Sequence, residues 1–128
     1  NNTDCINCSN DLDWKFIATV KKSVEDNMDN PSFNVDVLCN LLNMSRTSFY
    51  NKIKALTDQA PADYIRLIRL KHAAQLLKGQ KHTITEISEL TGFSDAKYFR
   101  EVFKKHFNMS PSQYAKRGKE GKDDEEIK

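Results

Sequence analysis

Residues 91–114 read TGFSDAKYFREVFKKHFNMSPSQY. Phe99, Phe103 and Phe107 recur every fourth residue, which is the spacing of one face of a helix. Gly92 supplies a turn before that helix, and Ser94 is a candidate N-cap. Ser110, Pro111 and Gln113 mark the start of another helix: a cap, a first helical position, and the third position of a capping box. The stretch reads as turn, helix, turn, helix. Phe99 and Phe103 lie on one side of the first helix, and Lys97, Arg100, Lys104 and Lys105 lie elsewhere on the surface.

An earlier stretch, LNMSRTSFYNKIKALTDQAPADY at 42–64, follows the same plan. Val35, Leu38, Leu41, Met44 and Ser45 recur 49 residues later as Ile84, Ile87, Leu90, Phe93 and Ser94. After a one-residue insertion, Phe49, Ile53, Pro61 and Tyr64 recur 50 residues later as Phe99, Phe103, Pro111 and Tyr114. This is an internal repeat of short helix, tight turn, second helix and proline-started helix. The turn residue is Asn43 in one copy and Gly92 in the other, both types that tolerate a left-handed backbone.

The rest of the chain completes an all-α pattern of about seven helices with no convincing strand. Trp14, Ile17, Val20, Val24 and Met28 mark an amphipathic first helix, stopped by DNPS at 29–32. Asn34 caps the short helix carrying Val35, Leu38 and Leu41. Ser45 caps the helix of Phe49, Ile53 and Leu56. A long helix lined by Tyr64, Ile65, Ile68, Ala73, Leu76 and Leu77 starts at Pro61 and ends at Gly79. Ala60 stands where a capping Ser or Thr is expected, so this helix is expected to fray at its start. Thr83 and Glu86 form a capping box for the helix of Ile84, Ile87 and Leu90. Residues 1–10 are polar and aperiodic and read as a disordered linker, 11–118 as the folded domain, and 119–128 as a charged tail. Within the domain the first motif covers about 34–57, the linker helix about 61–78, the second motif about 83–107 and the last helix about 110–117.

A duplicated helical hairpin accounts for the apolar positions but leaves the opposite faces unexplained. At about 100° per residue, Thr47, Asn51 and Lys54 point away from Phe49, flanked by Arg46, Ser48 and Tyr50. Lys97, Glu101 and Lys104 point away from Phe99, flanked by Tyr98, Arg100 and Lys105. Amides, hydroxyls and cations of these kinds read base edges and grip phosphates. The helix starts after Ser45, Ser94 and Ser110 offer backbone N–H groups to phosphate oxygens.

Charge is distributed to match. The chain's net +2 conceals a middle segment, residues 31–118, with fourteen Lys/Arg against seven Asp/Glu, a net of +7. Such a segment favours a polyanionic partner. With 30% charged residues, the composition is that of a soluble, charge-rich globular protein, and with no apolar run of membrane-spanning length and no signal-peptide pattern nothing in it points to export. An enzyme is disfavoured, because no paired carboxylates, nucleophile–histidine arrangement or glycine-rich phosphate loop is present. Cys5 and Cys8 form a C-x-x-C pair, but His72, His82 and His106 are scattered and supply no matching ligands, so no metal and no cofactor is expected. Cys39 lies in an apolar helical pattern and reads as a core residue. The remaining alternative is a helical protein-interaction module that does not read DNA sequence.

ISELTGFSDAKYFREVFKKHFNMSPSQY, residues 87–114, resembles the second helix-turn-helix and signature region of the AraC/XylS family of bacterial transcription regulators. YIRLIRLKHAAQLL, residues 64–77, resembles that family's joining helix. Residues 24–57 look most like the C-terminal output domain of Bacteroides-type hybrid two-component regulators. The resemblance covers about residues 34–117. It implies double-stranded DNA as partner, with both second helices entering successive major-groove segments about one turn apart. It places base reading on Thr47, Tyr50, Asn51, Lys97, Glu101 and Lys104. Phosphate contacts then fall to Ser45, Arg46, Ser48, Lys54, Ser94, Arg100, Lys105 and Ser110. It further implies upstream phosphorelay modules, dimerisation through them and RNA polymerase as a further partner. This segment would sit in the cytoplasm without touching a membrane, even if the full protein is anchored in the inner membrane.

Overall fold

The computed structural model describes residues 5–119. Among them lie seven helices and no strand: α1 (Asp11–Asp26), α2 (Val35–Leu42), α3 (Arg46–Thr57), α4 (Pro61–Gly79), α5 (Ile84–Leu90), α6 (Ala96–Phe107) and α7 (Pro111–Lys119). The all-α expectation holds. Contacts divide the described residues into two compact units, one ending at Met28 and resuming over Ser32–Arg69, the other joining Asp29–Pro31 to the described residues from Leu70.

The first unit closes around Ile17, Val20 and Val24 of α1, Leu38 and Cys39 of α2, Phe49, Ile53 and Leu56 of α3, and Tyr64, Ile65 and Ile68 of α4, all buried. Trp14 departs from the expected inner stripe and is exposed. It sits in the first turn of α1, at the rim, where a large indole keeps its N–H near water. Phe16 instead meets Phe49 edge-on, ring centres 6.2 Å apart, with the Lys52 ammonium 5.0 Å above its ring.

Residues 5–10 also depart from expectation, since they are held rather than disordered. Cys5 is buried and joined to Cys8 by a disulfide. The Asn7 backbone N–H donates to the Leu56 carbonyl at 3.0 Å and its side-chain amide to the Ala55 carbonyl at 2.9 Å. These carbonyls lie in the last turn of α3, where no intrahelical donor is available. A polar segment without periodicity can thus be ordered by capping another helix, which composition does not reveal. Residues 1–4 and the tail from 120 lie outside the described residues.

Arg69 of α4 is buried. One guanidinium nitrogen donates to the Met28 carbonyl at 2.6 Å and another to the Phe33 carbonyl at 3.2 Å. Burial pushes its pKa below the ordinary arginine value. The start of α4 lacks a side-chain cap, as expected from Ala60. The preceding turn is instead ordered by buried Thr57, whose hydroxyl donates to the Ile53 carbonyl at 2.8 Å and accepts from the Gln59 N–H at 3.2 Å.

In the second unit Leu70, Ala73, Ala74 and Leu77 of α4 pack with Ile87, Phe93, Phe99 and Phe103. An aromatic chain runs through Phe93, Phe99, Phe103, Phe107 and Tyr114, with neighbouring ring centres 4.4–5.7 Å apart. The repeat proves partly polar in its fine structure. Leu38 and Ile87 are fully buried, but Leu41 and Leu90, expected on the same stripe, are exposed. A helix of seven or eight residues buries little more than one turn. In α5 and its C-cap the buried places beside Ile87 go to Ser88 and Thr91, whose hydroxyls donate to the Thr85 and Ile87 carbonyls.

Candidate nucleic-acid interface

α3 begins at a neutral cap. The Ser45 hydroxyl accepts from the Ser48 N–H at 3.1 Å, and Asn34 caps α2 likewise at Val37. Asn43 between them has φ 56°, the left-handed geometry expected of the turn. Burial of Phe49, Ile53 and Leu56 fixes the helix phase, so Thr47, Tyr50, Asn51 and Lys54 are exposed together. Thr47, Tyr50 and Asn51 border an open cleft of about 400 Å³ whose far wall is Val35, Ala60, Pro61 and Ala62. Ser48 is exposed beside them. Arg46 is also exposed, but it is engaged in an ion pair with Asp36 of α2. The Lys54 ammonium donates to the Asp58 carbonyl at 3.5 Å.

The second motif repeats the phase but not the cap. Ser94 is not the N-cap of α6. Asp95 takes that place, its carboxylate accepting from the Tyr98 N–H at 2.7 Å. Both residue types cap well, and the one-residue insertion in the repeat falls at this point, so the stronger charge–dipole partner takes the helix end. A carboxylate there makes the start of α6 a poor phosphate site, unlike the start of α3. Gly92 adopts φ 80° as the turn requires. Phe99 and Phe103 are buried, leaving Lys97, Glu101 and Lys104 exposed, with Arg100 and Lys105 exposed alongside. Lys104, Lys105 and His106 fill the last turn, where cations favour the helix dipole. His106 is held below the usual imidazole value, first by burial and then by Lys71. α7 starts at the expected box: the Gln113 N–H donates to the Ser110 hydroxyl at 3.2 Å, and the Ser110 N–H to the Gln113 side chain at 2.9 Å.

Thr47, Tyr50 and Asn51 thus share one face of the first unit, and Lys97, Glu101 and Lys104 one face of the second. Asp36 and Asp95 do not stand out from the sequence at these faces, because DNA contacts are sought among cations. The signal for Asp95 was its position next to Ser94 at a helix start. Cys5 and Cys8, considered above as metal ligands, have their sulfurs joined to each other and offer no thiolate in this state.

A family of helix-turn-helix domains matches residues 38–117. Histidine kinase P4 of Formosa agariphila is 46% identical over 106 residues, 83% of this chain and 8% of that protein. The chain therefore spans a small part of this relative's length. Among solved structures, the C-terminal domain of the two-component response regulator YesN from Fusobacterium nucleatum subsp. nucleatum superposes with a TM-score of 0.72 at 27% identity, over 79% of this chain and 98% of that one. The DNA-binding domain of AdpA, a global transcriptional factor solved with a target DNA, gives 0.72 at 25% identity, over 80% and 94%.

Proposed function

The chain belongs to the AraC-type helix-turn-helix family, and from that membership we propose that it reads double-stranded DNA in a sequence-dependent way as the output part of a transcription regulator. One observation carries this: a helix with a buried seam and an exposed polar face, Thr47, Asn51 and Lys54 in one copy and Lys97, Glu101 and Lys104 in the other, preceded by a short helix and a left-handed turn, occurs twice. Thr47, Tyr50 and Asn51 read base edges in one copy, and Lys97, Glu101 and Lys104 in the other. Glu101 suits the amino group of cytosine rather than a phosphate. Ser48, Lys54, Arg100 and Lys105 grip the backbone, with Arg46 joining them when released from Asp36. The Ser45 and Ser110 helix starts add backbone N–H groups.

The domain is a DNA-binding one and carries no enzymatic step. Likeness to a histidine kinase and a response-regulator domain supports a longer protein in which a phosphorelay upstream controls this end. Phosphorylation there would pair two chains and raise DNA affinity through effective concentration. RNA polymerase is the natural further partner. No described helix is long and apolar enough to cross a membrane, and a DNA-reading end works in the cytoplasm.

The test is a duplex titration at several salt concentrations. Log affinity should fall steeply with log salt, because the cations displace condensed counterions. A flat plot would exclude electrostatic duplex binding and favour a helical module that binds protein.

A further inference from the structure

One carboxylate is paired with a cation at the edge of the first DNA-reading face. Asp36, in the first turn of α2, forms an ion pair with Arg46, the first residue of α3. The side chains remain 65% and 68% exposed. A pair so open to water adds little to stability. Nor is it needed as a clamp, since Leu38 and Cys39 of α2 share a buried core with Phe49 and Ile53 of α3, and the Met44 N–H closes the turn on the Cys39 carbonyl at 3.0 Å. What the pair does fix is the direction of a guanidinium on the wall of the cleft that Thr47, Tyr50 and Asn51 also line. The matched positions of the second motif are Thr85 and Ala96, which form no such pair.

We propose that Asp36 is a specificity-setting residue that acts through Arg46. This rests on the DNA-reading function argued above. An unpaired arginine at the edge of a reading helix can reach a phosphate on any duplex, which adds affinity without selectivity. Paired with Asp36, the guanidinium and the carboxylate together present no net charge to a passing duplex, and a phosphate must displace the carboxylate to engage the guanidinium. A duplex seated by base contacts to Thr47, Tyr50 and Asn51 holds its phosphate beside the start of α3 long enough to do so. A misregistered duplex does not. The carboxylate thus selects against wrong sequences rather than for the right one.

The experiment compares the chain with Asp36→Asn, which keeps the side chain's size and removes its charge. The probes are a mixed-sequence duplex and the duplex most enriched from a randomised pool by the unaltered chain. With Asp36→Asn, affinity for mixed-sequence DNA should rise several-fold. Its log–log salt slope should steepen by about 0.9, the value for one added phosphate contact. Affinity for the enriched duplex should rise less, so the ratio of the two falls. Asp36→Glu, which keeps the charge, should retain the original slope and ratio. In an Arg46→Ala background the steepening should vanish. The proposal is overturned if Asp36→Asn leaves the ratio unchanged or weakens mixed-sequence binding. It is also overturned if the steepening persists without Arg46, since Asp36 would then act by plain repulsion. A flat salt plot for the unaltered chain would instead refute the DNA-binding reading itself.

Discussion

Phe49 and Phe99 occupy matched places in the two copies, each almost wholly buried at the centre of its own unit. Truncating either to alanine should cost about 3–5 kcal/mol, from lost transfer energy plus the cavity left behind. Denaturant melts measure this, and a loss under about 1 kcal/mol would mean the ring is not the anchor its burial indicates. Arg69 is a different kind of anchor. Arg69→Met should destabilise by on the order of 3 kcal/mol, because it strips a charged donor from the buried Met28 and Phe33 carbonyls; a melt unchanged from that of the unaltered chain would show that water can replace it. The phenylalanines were legible in the sequence, since four-residue spacing alone fixes an inner face. Arg69 was not. Nothing in YIRLIRL distinguishes the arginine that folds inward from Arg66, which stays at the surface and pairs with Asp63 at 2.5 Å. That choice depends on carbonyls 36 and 41 residues away in the chain.

The helix ends show where local reading works and where it stops. Reciprocal boxes at Thr83–Glu86 and Ser110–Gln113 appeared as expected, because all their atoms lie within one turn. Gly79 is the expected glycine stop of α4, yet it is the last helical residue and Gln80 takes the left-handed φ of 57°. Two substitutions follow. Gly79→Ala has no neighbour within 4 Å of the added methyl and should stabilise by about 0.5–1 kcal/mol, by restricting the unfolded chain and favouring helix. Gln80→Gly should relieve the left-handed strain at a long side chain, by roughly 1 kcal/mol, less whatever is lost with the amide contact to the Ala115 carbonyl at 3.2 Å. Thermal melts of both variants check the assignment; a destabilised Gly79→Ala would place the left-handed residue at 79 after all. The same left-handed stop recurs 50 residues apart at Asp58 and Asn108, after α3 and α6. The repeat is therefore more extensive than its apolar positions show. It was hidden there because Asp and Asn are ordinary surface residues until the backbone around them is known.

The chain as a whole carries two copies of one helix-turn-helix arrangement, with charge concentrated in the middle of the sequence and a family relationship that spans both copies. The exposed faces were legible because burying Phe49 and Phe99 leaves only one phase for each helix. The carboxylates at Asp36 and Asp95 were not, since their effect depends on which cation or helix end each meets in space. The central claim is that both copies read bases. It is tested most directly by a randomised-site selection run with the unaltered chain, Asn51→Ala and Lys97→Ala. Each substitution should erase preference at its own base pairs, at a cost of roughly 1–3 kcal/mol on the enriched site and little on mixed DNA. The two affected tracts should lie about one helical turn, about 10 bp, apart. A sequence ranking unchanged by Lys97→Ala, or two affected tracts that coincide, would contradict the claim and leave the second motif as a structural copy.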